Sequence, residues 1–101
     1  MPVRQIAEYQ VKAAAVDKVK AAVEEFVRYV QANEPGTRLY MAWQQRDDPT
    51  RFTHFFIFAD EAALAAHGRS DAVKRFQAVY KPELLGGPVV FTNHEVVAEK
   101  L

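Results

Sequence analysis

Residues 33–51, NEPGTRLYMAWQQRDDPTR, decide the fold because they hold a helix stop, a strand and a hairpin turn in order. The EPGT segment, residues 34–37, ends a helix, since its proline lacks an amide hydrogen and Gly36 accepts a positive φ. The DDPT segment, residues 47–50, is a turn, because its carboxylates can accept hydrogen bonds from the nearby backbone and its proline presets φ. The residues between these two segments therefore form a strand that leads into a hairpin.

The sequence on both sides completes a β-α-β-β-α-β order. Apolar residues recur at helical spacing in two places: Val19, Val23, Phe26, Val27 and Val30 upstream, and Val73, Phe76 and Tyr80 downstream. The first predicted elements are a strand at 3–11, a helix from the N-cap Asp17 to about residue 32, and strands at 38–46 and 51–59. A short helix, Glu61–His67, follows between the N-cap Asp60 and Gly68, and a further helix runs from the N-cap Ser70 to near Pro82. The last strand, at about 89–97, follows Gly86-Gly87-Pro88. We predict a single α+β domain over residues 1–101, with a ferredoxin-like, four-stranded antiparallel sheet and helices on one face.

Composition excludes several classes of function. Half of the 101 residues are apolar, which is enough for one core. Thirteen basic and thirteen acidic residues cancel, so neither nucleic acid nor a membrane is an expected partner. The chain has no cysteine, and its three histidines lack a local metal-ligand spacing, so we expect no bound metal. The N-terminal segment lacks the apolar core of a signal peptide, and we expect a cytoplasmic protein.

Bulky side chains occupy both faces of the predicted hairpin strands. Strand residues alternate between faces, so Phe52, Phe56 and Phe58 point one way. Phe55 and Ile57 point the other way. Helices can cover only one face, and a monomer rarely leaves a large apolar patch in water. We therefore predict a homodimer through the uncovered sheet face; the alternative is that loops and chain ends cover it.

Turns, caps and packing positions form a pattern that extends over nearly the whole chain. Its parts are the first and last strands, Ala22–Phe26, Asn33–Thr37, Arg46–Arg51, Asp60–His67 and Ser70–Phe76. Together they resemble the antibiotic biosynthesis monooxygenase family. The resemblance implies a dimeric α+β barrel of ferredoxin-like topology with a pocket between sheet and helices. That family includes monooxygenases that oxidise quinols or anthrones, haem-degrading enzymes and proteins whose substrate is unknown.

Two departures from the family pattern bear on structure and cofactor. Residues 12–15, KAAA, stand where the family often has Lys-Pro-Gly, so this segment is expected to be more helical or more mobile. The haem-degrading branch has an Asn on the first strand, where this chain offers Glu8 and Tyr9. It also has a Trp after the third strand and a His on the last helix, where this chain has Phe58 and Tyr80. We therefore disfavour a haem role and expect no cofactor.

The resemblance implies cofactor-independent oxygenation of a small aromatic or quinol-like molecule. Triplet oxygen does not react directly with a closed-shell substrate, so a proton is first removed to give an electron-rich anion. Such a pocket needs apolar walls, a proton acceptor that works near neutral pH and donors for the developing oxyanion. Histidine is the natural acceptor.

Three side chains are the candidate catalytic residues: His54, His67 and Tyr80. His54 has the strand parity that, by resemblance, faces the pocket; it could instead bond across the sheet or lie at a wet edge. His67 ends the short helix, where the helix dipole alone favours a histidine, and by resemblance it lies over the pocket mouth. Tyr80 either relays a proton at the cavity edge or caps the core.

Four aromatic residues are the predicted substrate-binding set: Phe56, Phe58, Trp43 and Phe76. Trp43 has a second interpretation, as part of the dimer interface or core, because Leu39 and Met41 share its parity. His94 is predicted to be structural or interfacial. A monooxygenase is the leading hypothesis; the alternatives are a non-catalytic dimeric module that binds a small apolar ligand, and an oxygen-independent isomerase or cyclase.

Overall fold

The computed structural model describes all 101 residues and contains four strands, three α-helices and two short 3-10 turns. In chain order these are β1 (Val3–Val11), the 3-10 turn Ala13–Ala15, α1 (Val16–Asn33), β2 (Thr37–Gln44), β3 (Arg51–Phe58), α2 (Glu61–Arg69), α3 (Asp71–Tyr80), the 3-10 turn Lys81–Glu83 and β4 (Leu84–His94). The strands form one antiparallel sheet in the order β2-β3-β1-β4. The predicted ferredoxin-like α+β fold is confirmed.

The core lies between the helices and one face of the sheet. The apolar stripe of α1 is buried at Val19, Val23, Phe26 and Val30, and α3 buries Ala72, Val73, Phe76 and Tyr80. On β3, alternate residues point to the helices: Phe52, His54, Phe56 and Phe58 are all at most 5% exposed. The predicted parity of this strand is therefore confirmed.

Two of the three predicted N-caps are confirmed, and one is wrong. The Asp60 side chain accepts a hydrogen bond from the Ala63 amide at the start of α2, and Ser70 accepts one from Val73 at the start of α3. Asp17 lies inside the first turn of α1 and caps nothing. The alanines before it form a 3-10 turn that leads directly into the helix, as the more helical reading of residues 12–15 predicted.

Glycines account for the differences from the predicted boundaries at the end of α2 and at the start of β4. Gly68 does not end α2, which continues to Arg69, because a single helical glycine costs only about 1 kcal/mol. Gly86 and Gly87 lie inside β4 rather than before it, with φ of 75° and 108°. They form a bulge where the pairing of β1 with β4 shifts between Glu8 and Gln10. The last strand therefore begins earlier than predicted. It also ends earlier, at His94.

Gly36 is required by close packing rather than by its backbone angle. It does not have a positive φ, contrary to the prediction. A Cβ atom at this position would lie 2.7 Å from the Cβ of Ala63 on α2. The Gly36 carbonyl also accepts a hydrogen bond of 2.8 Å from the Ala59 amide. The helix stop after α1 is thus held against the start of α2. None of the helices is both long and apolar enough to cross a membrane.

We predict that Gly36→Ala lowers the free energy of unfolding by about 1–3 kcal/mol, because overpacking forces the turn away from Ala63. Gly68→Ala is the matched control: its Cβ would meet nothing within 4 Å, and alanine in a helix should stabilise the protein by about 0.5–1 kcal/mol. Urea unfolding measures both changes. A Gly36→Ala protein as stable as the wild type would contradict the close packing.

Candidate active site

A cavity of about 190 Å³ lies between the sheet and the α2–α3 pair. Ten of its 15 lining residues are hydrophobic. The floor comes from the sheet, with Ala7, Tyr9, Tyr40, His54 and Phe56, and the roof from the helices, with Leu64, His67, Val73, Phe76 and Tyr80. Val89 and Phe91 of β4, together with Gln5, Gly68 and Gln77, complete the lining. A concave, mainly apolar space with a few convergent polar groups is typical of a small-molecule site.

Most of the predicted site residues meet at this cavity, and two do not. His54, His67, Tyr80, Phe56 and Phe76 all line it. Phe58 is fully buried beside it, where its ring lies 5.0 Å from that of His67, and so contributes packing rather than lining. Trp43 is on the opposite face of the sheet, 4.4 Å from the ring of Phe55, because its parity is opposite to that of Tyr40.

His94 is also remote from the cavity. It is exposed at the end of β4 and its Nε2 atom lies 2.7 Å from Thr92 Oγ1. The histidine is a surface residue of the edge strand. It contributes no group to the cavity lining.

The buried histidine of the floor is held between two tyrosines. His54 is 1% exposed, its Nε2 lies 2.8 Å from Tyr9 Oη, and its Nδ1 lies 2.8 Å from Tyr40 Oη. The sheet register explains this geometry. Ala7 and Ala42 pair directly with His54, so small side chains leave room for the ring, and the tyrosines approach it from the two diagonal positions.

Tyr9, His54 and Tyr40 are all neutral near pH 7. Burial lowers the pKa of His54 from 6.5 to about 4, because the charged imidazolium loses its hydration. Burial likewise raises the pKa of both Tyr9 and Tyr40, so the phenols keep their protons. A neutral imidazole with a phenol at each nitrogen can donate one hydrogen bond and accept one.

A second histidine reaches the cavity from the roof and has a carboxylate partner. His67 Nδ1 lies 2.7 Å from Glu34 Oε1, and their side chains are 13% and 12% exposed. Thr37 Oγ1 donates a further hydrogen bond of 2.8 Å to the same carboxylate oxygen. A carboxylate only accepts, so Nδ1 of His67 carries the hydrogen and Nε2 is left to act on a ligand.

Three of these polar residues, Tyr9, Tyr40 and Glu34, were not predicted as site residues. Glu34 belongs to the EPGT segment and was assigned only a turn role. The parity of Tyr40, opposite to that of Trp43, was the available signal. The contacts to His54 depend on the pairing register of β1, β2 and β3, which the sequence pattern does not give.

Comparison with known families identifies the chain. The sequence model described as antibiotic biosynthesis monooxygenase matches residues 2–79, more than half of the chain. The chain belongs to the antibiotic biosynthesis monooxygenase family.

Several solved structures share the fold. A proposed antibiotic biosynthesis monooxygenase from Bacteroides thetaiotaomicron is 17% identical, with a TM-score of 0.90 over 99% of this chain and 93% of that one. One from Caulobacter crescentus is 23% identical, with a TM-score of 0.86 over 96% and 91%. Rv0793 from Mycobacterium tuberculosis is 22% identical, with a TM-score of 0.85 over 98% of both chains. Comparison with functionally curated proteins gives no match. At these identities the likeness establishes the fold alone.

We predict that burial of neutral His54 makes this family member less stable in acid. The pKa of His54 is about 4 when folded and about 6.5 when unfolded, so the unfolded chain gains the proton first as the pH falls. Stability is fully present above about pH 6.5 and declines towards pH 4, by about 3 kcal/mol in total. Urea unfolding across this range should show a smaller decline for His54→Gln than for the wild type. His94→Gln is the control, and equal declines in wild type and His54→Gln would contradict the prediction.

Proposed function

We propose that this protein is a cofactor-independent monooxygenase that acts on a small electron-rich phenol or quinol in the cavity. The observation that carries the proposal is the His67–Glu34 pair at an apolar cavity wall. In the reaction, one atom of dioxygen enters the ring and the other leaves as water, and all the electrons come from the substrate. For a 1,4-naphthoquinol the product is a hydroxynaphthoquinone.

His67 is the proposed proton acceptor. Its Nδ1 hydrogen is directed to Glu34 at 2.7 Å, so Nε2 can take the substrate proton while the carboxylate stabilises the imidazolium that forms. The apolar walls strengthen this charge interaction, because they lower the local dielectric constant. Removal of the proton gives the electron-rich anion that can pass an electron to dioxygen.

His54 is the weaker of the two candidate bases. Both of its ring nitrogens already have a tyrosine partner, and its pKa is about 4. A group with this pKa is a poor acceptor near neutral pH. Tyr80 stacks on Tyr9 with 5.4 Å between ring centroids and contacts the ring of Phe76 at 4.7 Å. We therefore assign Tyr80 to shaping the cavity edge.

The size of the cavity narrows the substrate class. A cavity of roughly 150 Å³ can bind benzene, whereas sites for drug-sized ligands are usually about 300–1,000 Å³. The cavity measures about 190 Å³. This volume favours a molecule of one or two rings over a three-ring anthrone.

The test is oxygen uptake with 1,4-naphthoquinol, a catechol and an anthrone, corrected for autoxidation. We expect uptake with the naphthoquinol, and a fall in kcat of about 100-fold in His67→Gln, the lower end for loss of a general base. Glu34→Gln should lower kcat by about tenfold, because the amide oxygen still accepts from Nδ1 but no negative charge stabilises the imidazolium. His94→Gln should match the wild type.

If His67→Gln consumed oxygen at the same rate as the wild type, the assignment of His67 as the base would be overturned. No uptake with any substrate, combined with saturable binding of the same molecules, would favour an oxygen-independent isomerase or cyclase or a binding module. The residues proposed for proton transfer would serve an isomerase equally well. The cytoplasmic location and the single-domain extent stay predictions from the sequence.

We further propose a homodimer through the outer face of the sheet, which consists of Ile6, Leu39, Met41, Trp43, Phe55, Ile57 and Val90. No helix packs on this face. Met41, Trp43 and Val90 are 41%, 54% and 56% exposed, and clustered apolar surface of this kind favours association. A second copy of the same face is the simplest partner, since a two-fold interface is self-complementary.

Trp43→Glu should raise the dissociation constant of this dimer by at least about 100-fold, because it places an unpaired charge in each half of the interface. Sedimentation velocity over a concentration series measures the change. Gln31→Glu, on the exposed side of α1, is the control and should leave association unchanged. A wild-type protein that is monomeric at micromolar concentration would contradict the proposal.

A further inference from the structure

Tyr9, His54 and Tyr40 form a hydrogen-bonded row, and they carry more O–H and N–H hydrogens than the hydrogen bonds between them need. The row contains two hydrogen bonds, Tyr9 Oη to His54 Nε2 and Tyr40 Oη to His54 Nδ1, each of 2.8 Å. Each phenol has one O–H, and a neutral imidazole has one N–H. Three hydrogens therefore serve two bonds, and one is left over.

The leftover hydrogen is always on a phenol. When Nδ1 of His54 carries the hydrogen, it donates to Tyr40, and Tyr9 donates to Nε2; the O–H of Tyr40 is then unused. When Nε2 carries it, the roles reverse and the O–H of Tyr9 is unused. Both tyrosines line the cavity, so in either tautomer of His54 one tyrosine O–H is free to donate to a ligand.

We propose that the Tyr9–His54–Tyr40 row is a binding site for one carbonyl or phenolate oxygen of the cavity ligand, to which the unspent phenol O–H donates. The choice of an aromatic oxygen ligand rests on the proposed function. The number of free donors is independent of the proposed function, because it follows from counting the hydrogens of the three side chains. The row supplies one donor to an anion formed at His67, whose ring lies 5.9 Å from that of Tyr40.

Burial supports the assignment. Tyr9 and His54 are 8% and 1% exposed, so an O–H left without a partner there would be costly. A ligand oxygen supplies that partner. The raised pKa values of both tyrosines and the lowered pKa of His54 keep the three-hydrogen count unchanged near neutral pH.

The experiment is an infrared difference spectrum of bound 1,4-naphthoquinone labelled with ¹³C at both carbonyls. This probe has two equivalent acceptors, and the Tyr9–His54–Tyr40 row offers one donor. We expect two carbonyl bands: one shifted to lower frequency by the hydrogen bond, the other as in an alkane solvent. A single unshifted band, or no saturable binding of the probe, overturns the proposal.

Variants identify the donor. Tyr9→Phe and Tyr40→Phe each keep one spare hydrogen, so both should retain the shifted band and bind the probe within about threefold of wild type. Tyr9→Phe/Tyr40→Phe leaves one hydrogen, on the His54 ring, which is 1% exposed and therefore screened from a ligand. This variant should lose that band and bind about tenfold more weakly, the value of one ordinary hydrogen bond. Tyr29→Phe deletes a phenol oxygen outside the cavity and should behave as wild type. A shifted band in the double variant overturns the assignment.

The double variant leaves a buried imidazole without partners and is at risk of not folding. The wild-type protein then decides the question through the ¹⁵N resonances of the His54 ring. Naphthoquinone should change the ratio of the two tautomers, since its oxygen engages one phenol, and naphthalene should not. An unchanged ratio at saturation overturns the proposal.

These measurements need binding alone. An enzyme that consumes oxygen but gives one unshifted band keeps the proposed function and loses this site. A protein that gives two bands but consumes no oxygen keeps the site and loses the monooxygenase assignment.

Discussion

The burial of His54 is the constraint on which the site depends. An imidazole that is 1% exposed is tolerated because both ring nitrogens find a phenol at 2.8 Å. Ala7 and Ala42 are its direct neighbours across the sheet, which leaves volume for the ring and for the diagonal approach of both tyrosines. The floor of the cavity is therefore polar at its centre and apolar around it. Its polarity is carried by three groups that hold no net charge.

The two cavity histidines differ because their partners differ. His54 sits on a strand between neutral phenols and stays uncharged, whereas His67 sits on a helix beside a carboxylate that can stabilise a positive charge. Glu34 reaches His67 because the turn after α1 is pressed against α2, where Gly36 meets Ala63. Under the proposed function, His67 is therefore the group that accepts a proton, and the Tyr9–His54–Tyr40 row is the group that donates a hydrogen bond. Separation of these two roles by environment is a general route to acid–base chemistry at neutral pH.

The fold could be predicted more fully than the site, for physical reasons. Period-two alternation on β3 placed Phe52, His54 and Phe56 on one face, and this held because a helix layer covers that face. The tyrosine contacts could not be predicted, since they depend on pairing register rather than on any one strand. Trp43 was placed in the substrate-binding set by its chemistry, although its parity placed it on the other face. The indole of Trp43 suggested a substrate-binding role, but the alternation of side chains along β2 directs it away from the cavity.

The bulge at Gly86 and Gly87 links a local backbone feature to the shape of the cavity. The pairing of β4 with β1 shifts between Gln10–Leu85 and Glu8–Val90 by an odd number of residues. Since strand side chains alternate, an odd shift exchanges the faces beyond the bulge. Phe91 consequently pairs with Ala7 and joins the cavity wall instead of the outer face. Glycine is needed because φ of 75° and 108° is strained for other residues. The sequence pattern predicts that the GGP segment is a simple entry to the last strand, yet this segment determines which side chains of that strand face the cavity.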